Sequence, residues 1–576
     1  MKAQTARLIG GAGTGKTSAL MDIIELLINA GIDPLRIGFA SFTRAARLEA
    51  VDRMSLKFGL DRDRILDYGW FKTVHSIAYK MLRPNRLLTG VKADQEWMEA
   101  IFGKEAHFPS RPEDGMIGEL SEAGSVLQLW GAYRLSMGYM KSTDIPLHGG
   151  IDWDRMASFP DWLSGMDMDI HVSDAVAIVD RYEQHCNMDN IDDYTSLVAR
   201  YAGVKFRPSY PPAETYAEGD LPDVDTWLFD EQQDTSPLLD IACRRLASAP
   251  EVRYVYLAGD PFQSIFQWAG SSSRCFMGWD VTEGKQRVMP QSYRCPLEIL
   301  DLGEKILQQC SDYWDRRIAP APHDGTVELK RTGLMSILSS VNPDDQWLVL
   351  ARTVRESSTI LHRLRQRYPD HHIGWASRDQ EHHGRPRRAA MALWKLRHSQ
   401  GINPDEWADI VHTVPVGLGL IQKGMRKKMD DRDAIGCIDI YRLQGVEADP
   451  FSIDSLKTSL QHPGHTDELC PALLADDWFS NFGEKLTLDL SKLHHKGSKV
   501  FDKPQVRVGT IHSSKGMEAD NVAWLATETR AIQNNCKDNP ESADEERRVQ
   551  YVAATRAKKR LVIALPPSGR APKLPI

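Results

Sequence analysis

Gly10-Gly11-Ala12-Gly13-Thr14-Gly15-Lys16-Thr17 fits the phosphate-loop pattern G-x-x-x-x-G-K-[ST], a pattern that needs a strand before it and a helix after it. Leu8 and Ile9 read as the end of that strand, and residues 18–28 carry apolar side chains at helical spacing. In this setting glycine N–H groups turn toward phosphate oxygens, and the helix N-terminus adds a favourable dipole. Lys16 is placed to reach the β- and γ-phosphates, and the Thr17 hydroxyl to hold Mg²⁺. An α/β protein with a nucleoside triphosphate site is the first expectation.

At 576 residues the chain exceeds a single hydrophobic core and implies about three or four domains. With 42% hydrophobic and 26% charged residues it is neither disordered nor fibrous. No run approaches the ~18 apolar residues of a membrane span, and no signal-peptide pattern precedes the loop, so no membrane partner is expected. Cysteines occur without a CxxC pair, which argues against a disulfide scaffold, a zinc ribbon or an iron–sulfur cluster and fits a reducing cytoplasm. His462, His465 and Cys470 have a faint zinc-ligand look, against which Pro463 counts. A net charge of −8 excludes a uniformly basic nucleic-acid binder but not a locally basic groove. The basic runs 378–388 and 423–428 are candidates for duplex contact, although such runs are commonly solvated faces.

A phosphate loop needs one carboxylate for the metal and another to position or deprotonate water, both at the end of a buried strand. Trp227-Leu228-Phe229 followed by Asp230-Glu231-Gln232-Gln233-Asp234 has that form, with Asp230 as metal ligand and Glu231 as base. A second apolar run, 254–258, leads into Gly259-Asp260-Pro261-Phe262-Gln263-Ser264-Ile265, where Gln263 is suited to sense a γ-phosphate.

These segments resemble motifs II and III of the UvrD/Rep-type superfamily 1 helicases. Gln291-Ser292-Tyr293-Arg294, Thr510-Ile511-His512-Ser513-Ser514-Lys515-Gly516-Met517-Glu518 and Tyr551-Val552-Ala553-Ala554-Thr555-Arg556-Ala557 resemble the family's motifs IV to VI, in its order. Phe39-Ala40-Ser41-Phe42-Thr43-Arg44-Ala45-Ala46 resembles motif Ia and Thr73-Val74-His75-Ser76 motif Ib. The resemblance implies two RecA-like P-loop NTPase domains, parallel sheets flanked by helices, each with a mostly helical insertion. Its expected boundaries are 1–79 and 193–295 for domain 1A, 80–192 for insertion 1B, 296–378 and 504–576 for domain 2A, and 379–503 for a short insertion 2B.

By the same resemblance ATP binds between the two domains. Gly10 to Thr17 hold its phosphates, Arg294 and Arg556 bring positive charge to the γ-phosphate, Glu518 meets the ribose and Tyr293 stacks on the base. Val549, Val552, Ala553 and Arg556 fall at i, i+3, i+4 and i+7, which extends the apolar stripe of a predicted helix to Arg556. Phe42, Thr43, His75, Trp268, Thr510 and His512 match positions along a single-strand path, where aromatics stack on bases and hydroxyls and imidazoles reach the backbone. The chain departs from the family in three places: no adenine-reading glutamine motif precedes the loop, Ser18 replaces an Arg after Gly15-Lys16-Thr17, and Ala269 follows Trp268 where Arg is common. The implied activity is that of an ATP- and Mg²⁺-dependent 3′-to-5′ helicase acting on single-stranded DNA and single-strand/duplex junctions, with no loading partner specified. The alternatives are a translocase that displaces proteins with little unwinding and an ATP-gated binding module without turnover.

Overall fold

A computed structural model of the chain describes residues 3–41, 44–59, 62–89, 92–103, 122–147, 151–165, 171–376, 385–398, 402, 404–421, 469–483, 486–487, 490–491, 493–494, 504–567 and 571–575. Phe42, Thr43, His462, His465 and the run 423–428 lie outside the described residues. So does most of the run 378–388.

The strands of the first part are β1 (Gln4–Ile9), β2 (Ile37–Ser41), β3 (Trp70–Lys72), β4 (Arg86–Leu87), β5 (Ile191–Asp192), β6 (Val204–Arg207), β7 (Tyr210–Glu214), β8 (Thr226–Asp230), β9 (Tyr254–Gly259) and β10 (Gln286–Val288). Six of them form a parallel sheet in the order β10-β1-β9-β8-β2-β3. The second sheet is built from β11 (Thr326–Lys330), β12 (Trp347–Ala351), β13 (Ile373–Trp375), β14 (Val506–Thr510), β15 (Ala519–Leu525) and β16 (Ala557–Ala564). Its order is β11-β16-β15-β12-β14-β13, again all parallel.

A parallel sheet covered on both faces needs strands that are apolar throughout, because successive side chains point to opposite faces. β8 shows this. Trp227 and Phe229 stack at 5.7 Å and enter one core, while Leu228 enters the other with Phe39 and Leu20. In β12, Trp347, Val349 and Ala351 face one core, and Leu348 and Leu350 the other. Gly38 of β2 is where the Trp227 ring lies, and a Cβ there would stand 2.3 Å from the indole. Helix starts are set locally. Ser236 caps Pro237–Ala247 and Asn539 caps Pro540–Ala554, each with proline at the first helical position.

Between β4 and β5 the described helices Lys92–Phe102, Glu122–Ser136, Phe159–Ser164 and Val172–Asp189 enclose a core of Trp130, Tyr133, Phe159 and Trp162. The buried Arg134 pairs with Asp193 at 2.6 Å, and Asp193 also caps the helix Tyr194–Ala202, so this pair ties the lobe to that helix. Both sheets and this lobe belong to one compact unit, Met1–Ala376 with Val506–Ile576, and Ser377–Gln505 forms a second. The second unit has its own core, with Leu393, Trp407, Val411, Trp478 and Phe482 among its residues. The fold is therefore the α/β one expected, with two RecA-like parallel sheets and interruptions whose described elements are mostly helical. No helix among the described residues is long and apolar enough to cross a membrane.

One expectation is corrected. The helix of Val549 and Val552 ends at Ala554, so Arg556 does not extend its stripe. The Thr555 hydroxyl donates back to the Tyr551 carbonyl at 2.8 Å, and Arg556 Nε donates to the Val552 carbonyl at 3.0 Å. These bonds terminate the helix and turn Arg556 inward, where it is buried.

Candidate active site

Parallel strands deliver their carboxyl ends to one edge of a sheet, and the phosphate loop lies there. The Gly10 N–H donates to the Gly259 carbonyl at 3.0 Å, which joins the loop to the end of β9. Gly13 and Gly15 have φ of 68° and 80°, a left-handed conformation that favours glycine. A Cβ on Gly13 would also lie 2.2 Å from Arg294 Cβ. Gly15 caps the helix Lys16–Asn29 with no side-chain cap bond, so no capping side chain takes up the first N–H groups, an arrangement suited to phosphate.

Lys16 Nζ donates to the Gly10 carbonyl at 3.0 Å, and Thr17 Oγ1 donates to Asp230 Oδ2 at 2.7 Å. A hydroxyl beside a carboxylate at the mouth of a phosphate loop is a donor set that fits Mg²⁺, an ion that prefers oxygen ligands and shares them with phosphates and water. Next in the chain, Glu231 adopts φ 52°, a strained position for a residue with a side chain. Its N–H donates to Asp230 Oδ1 at 3.0 Å, and its carboxylate accepts from Gln233 Nε2 at 2.6 Å.

The environment splits these two acids. Burial, and then the neighbouring Glu231, pushes the Asp230 carboxyl up to about 7. Burial also works against ionisation of Glu231, but Lys16, Lys515, the Gln233 hydrogen bond and Arg556 outweigh it and leave that carboxyl below its ordinary value. Of the two, Glu231 is the more readily ionised, because the cations lie nearer to it.

From the second sheet, Arg556 Nη2 donates to Gln263 Oε1 at 3.1 Å and its Nη1 to the Met517 carbonyl at 3.2 Å. Arg294 pairs through Nε with Glu518 at 2.7 Å, and Lys558 pairs with the same carboxylate. The Tyr293 N–H donates to the Gly13 carbonyl at 2.8 Å, and the Ser292 hydroxyl to the Ala12 carbonyl at 2.8 Å. The Tyr293 ring is 71% exposed and lies 4.0 Å from where a Gly15 Cβ would be. Ser18 accepts from Arg53 Nη1 at 3.3 Å.

Sequence reasoning assigned no role to several residues that hold this arrangement. Lys515 pairs with the buried Asp234 and also donates to the Gln263 carbonyl. Gln233 Oε1 accepts the Asp260 N–H at 2.9 Å. Both stand inside quoted motifs, which is the signal that was available. Arg316 and Tyr551 form a third contact zone. Arg316 stands in no motif, and Tyr551 opens one without having been given a role.

Around Trp268 and His512, Phe266 has Trp268 edge-on at 6.4 Å, His512 at 6.1 Å and Lys515 Nζ over its ring at 5.3 Å. Trp268 is 44% exposed. Burial, then the cations Arg352 and Lys515, lowers the His512 imidazole to about 3 and keeps it neutral. Thr510 is buried and accepts the Ser513 N–H at 3.2 Å, while His75 meets Tyr194 edge-on at 5.9 Å.

Comparison with known proteins adds the following. Residues 2–106 and 161–280 match the family model of the UvrD/REP helicase N-terminal domain, and residues 455–566 that of the UvrD-like helicase C-terminal domain. The Bacillus subtilis (strain 168) protein YjcD is 25% identical over 641 residues, an alignment spanning 98% of this chain and 77% of YjcD. The ATP-dependent DNA helicase PcrA of Staphylococcus aureus, in strains COL and MW2, is 21% identical over 308 residues, which is 53% of this chain and 38% of PcrA.

Proposed function

This chain belongs to the UvrD/Rep-type superfamily 1 helicases, and from that premise we propose that it is an ATP-driven motor that moves 3′ to 5′ along single-stranded DNA and separates duplex at junctions. The observation that carries the reading is the bond from Arg556 to Gln263, which brings a cation held by the second sheet to a polar side chain at the end of β9. A γ-phosphate lying between such groups would link hydrolysis to the approach of the two sheets, as a motor requires.

We assign residues 1–79 and 193–295 to domain 1A, 80–192 to 1B, 296–378 and 504–576 to 2A, and 379–503 to 2B. Gly10 to Thr17 hold the phosphates. Thr17 and Asp230 would hold Mg²⁺, which would neutralise phosphate charge. Glu231 takes the proton of the attacking water, Gln263 senses the γ-phosphate, and Arg294 and Arg556 stabilise the charge that grows on the transferred group. Tyr293 stacks on the base and Glu518 meets the ribose. Phe42, Thr43, His75, Trp268, Thr510 and His512 line the strand path. His512 acts there as a neutral hydrogen-bonding group, in keeping with its lowered proton affinity.

The test is ATP hydrolysis with and without single-stranded DNA, for the wild type and Glu231→Gln, with DNA binding measured by anisotropy. DNA should stimulate the wild type. Glu231→Gln should lose roughly 10²- to 10⁴-fold in rate while still binding DNA. Hydrolysis indifferent to DNA would refute the motor, and a loss below about tenfold would remove Glu231 as the base.

A further inference from the structure

Arg316 follows the helix Leu297–Leu307 and belongs to no motif, yet its side chain and that of Asp260 are both 0% exposed. Its Nη1 donates to Asp260 Oδ1 at 2.7 Å and its Nη2 to Glu304 Oε1 at 2.6 Å. Nη2 also lies 3.4 Å from Tyr551 Oη, and the guanidinium sits over the Phe262 ring at 4.8 Å. Tyr551 Oη accepts the Ala12 N–H at 3.1 Å, and a Cβ on Gly11 would stand 3.3 Å from Arg316 Nη1. One guanidinium therefore stands where the phosphate loop, the turn after β9 and two helices converge.

A buried arginine with two carboxylate partners adds little to stability over apolar packing, so its value lies in what it orients. We propose that Arg316 is the positioning residue that fixes the Gln263 amide and, through it, Arg556 for ATP hydrolysis; this rests on the ATPase reading above. Asp260 divides its oxygens. Oδ1 accepts from Arg316 and from the Phe262 N–H at 3.2 Å, and Oδ2 accepts from Gln263 Nε2 at 2.8 Å. A carboxylate only accepts, so Gln263 must turn its NH₂ group toward Asp260 and its Oε1 toward Arg556. Without Arg316 the Asp260 carboxylate loses the donor that pins Oδ1, and its rotation is no longer fixed. The acceptor that sets the Gln263 amide then shifts, and Gln263 Oε1 is no longer held toward Arg556. The relay Arg316–Asp260–Gln263–Arg556 thus depends on a cation at its far end.

Wild type, Arg316→Met, Arg316→Lys, Asp260→Asn, Gln263→Ala and the Arg316→Met/Gln263→Ala double variant are compared in equilibrium binding of a fluorescent ATP analogue and in hydrolysis at saturating single-stranded DNA. Arg316→Met is expected to bind nucleotide within about threefold of wild type while kcat falls roughly 10²-fold, the scale of a misplaced catalytic group. Arg316→Lys should recover part of the rate, and the double variant should be no slower than the slower single variant. A wild type that hydrolyses no ATP with DNA would overturn the ATPase reading. A competent wild type matched in kcat by Arg316→Met would overturn the role of Arg316, as would losses that multiply in the double variant. Should Arg316→Met fail to fold, the near-isosteric Asp260→Asn decides, and a kcat equal to wild type overturns the proposal.

Discussion

In the proposed ATP site, base recognition turns on Tyr293. Its ring is exposed beside Gly15, and stacking accepts any base, whereas strong discrimination needs buried donors and acceptors that the wrong base leaves unpaired. GTP should therefore support DNA-stimulated hydrolysis within about tenfold of ATP, a gap of roughly 1.4 kcal/mol. The measurement is kcat/KM for the four triphosphates at saturating DNA. A preference for ATP above about a hundredfold would assign base reading to another group, with Arg53, bonded to Ser18, the first to test. A second prediction concerns His512. Its folded proton affinity is lowered to about 3, below that of the unfolded chain, so acid favours unfolding. The stabilisation is complete above about pH 6.5 and falls as pH drops toward 3. His512→Gln should remove this dependence and gain about 1–2 kcal/mol relative to wild type between pH 7 and pH 5 in urea titrations. Parallel stability curves for the two proteins would show that His512 is solvated. At this scale, motif residues were legible because each stands in a fixed local pattern. Arg316 was not, because Glu304, Asp260 and Tyr551 lie 12, 56 and 235 residues away along the chain.

Elements were legible where one period decides them. The apolar run 227–229 before Asp230 read as a strand and forms part of β8, and β12 is likewise buried throughout its length. The end of Pro540–Ala554 was not legible, since a helical stripe continues on paper to Arg556 while the Thr555 and Arg556 side chains bond back and stop the helix. Close packing between elements was also hidden. Gly38 looks like any glycine in a strand until the Trp227 ring is seen against it. Gly38→Ala should therefore cost roughly 1–3 kcal/mol through overpacking of β2 against β8, read as a lower urea midpoint with an unchanged slope. A midpoint equal to wild type would mean that the indole moves aside freely.

At the scale of the whole molecule, two parallel sheets lie in one compact unit, and Arg556, just before β16 of the second, bonds to Gln263 in the turn after β9 of the first. The order of the motifs along the chain already implied that convergence, but the bonds that hold it, from Lys515 to Asp234 and from Arg316 to Asp260, are long-range and became visible only in three dimensions. The most direct test of an ATP-driven motor is strand displacement from duplexes carrying a 3′ or a 5′ single-stranded tail, with ATP consumption followed in the same reaction. The expected result is ATP-dependent displacement from the 3′-tailed duplex, little from the 5′-tailed one, and hydrolysis that rises with single-stranded DNA. Equal hydrolysis with and without DNA, together with no displacement from either tail, would contradict it.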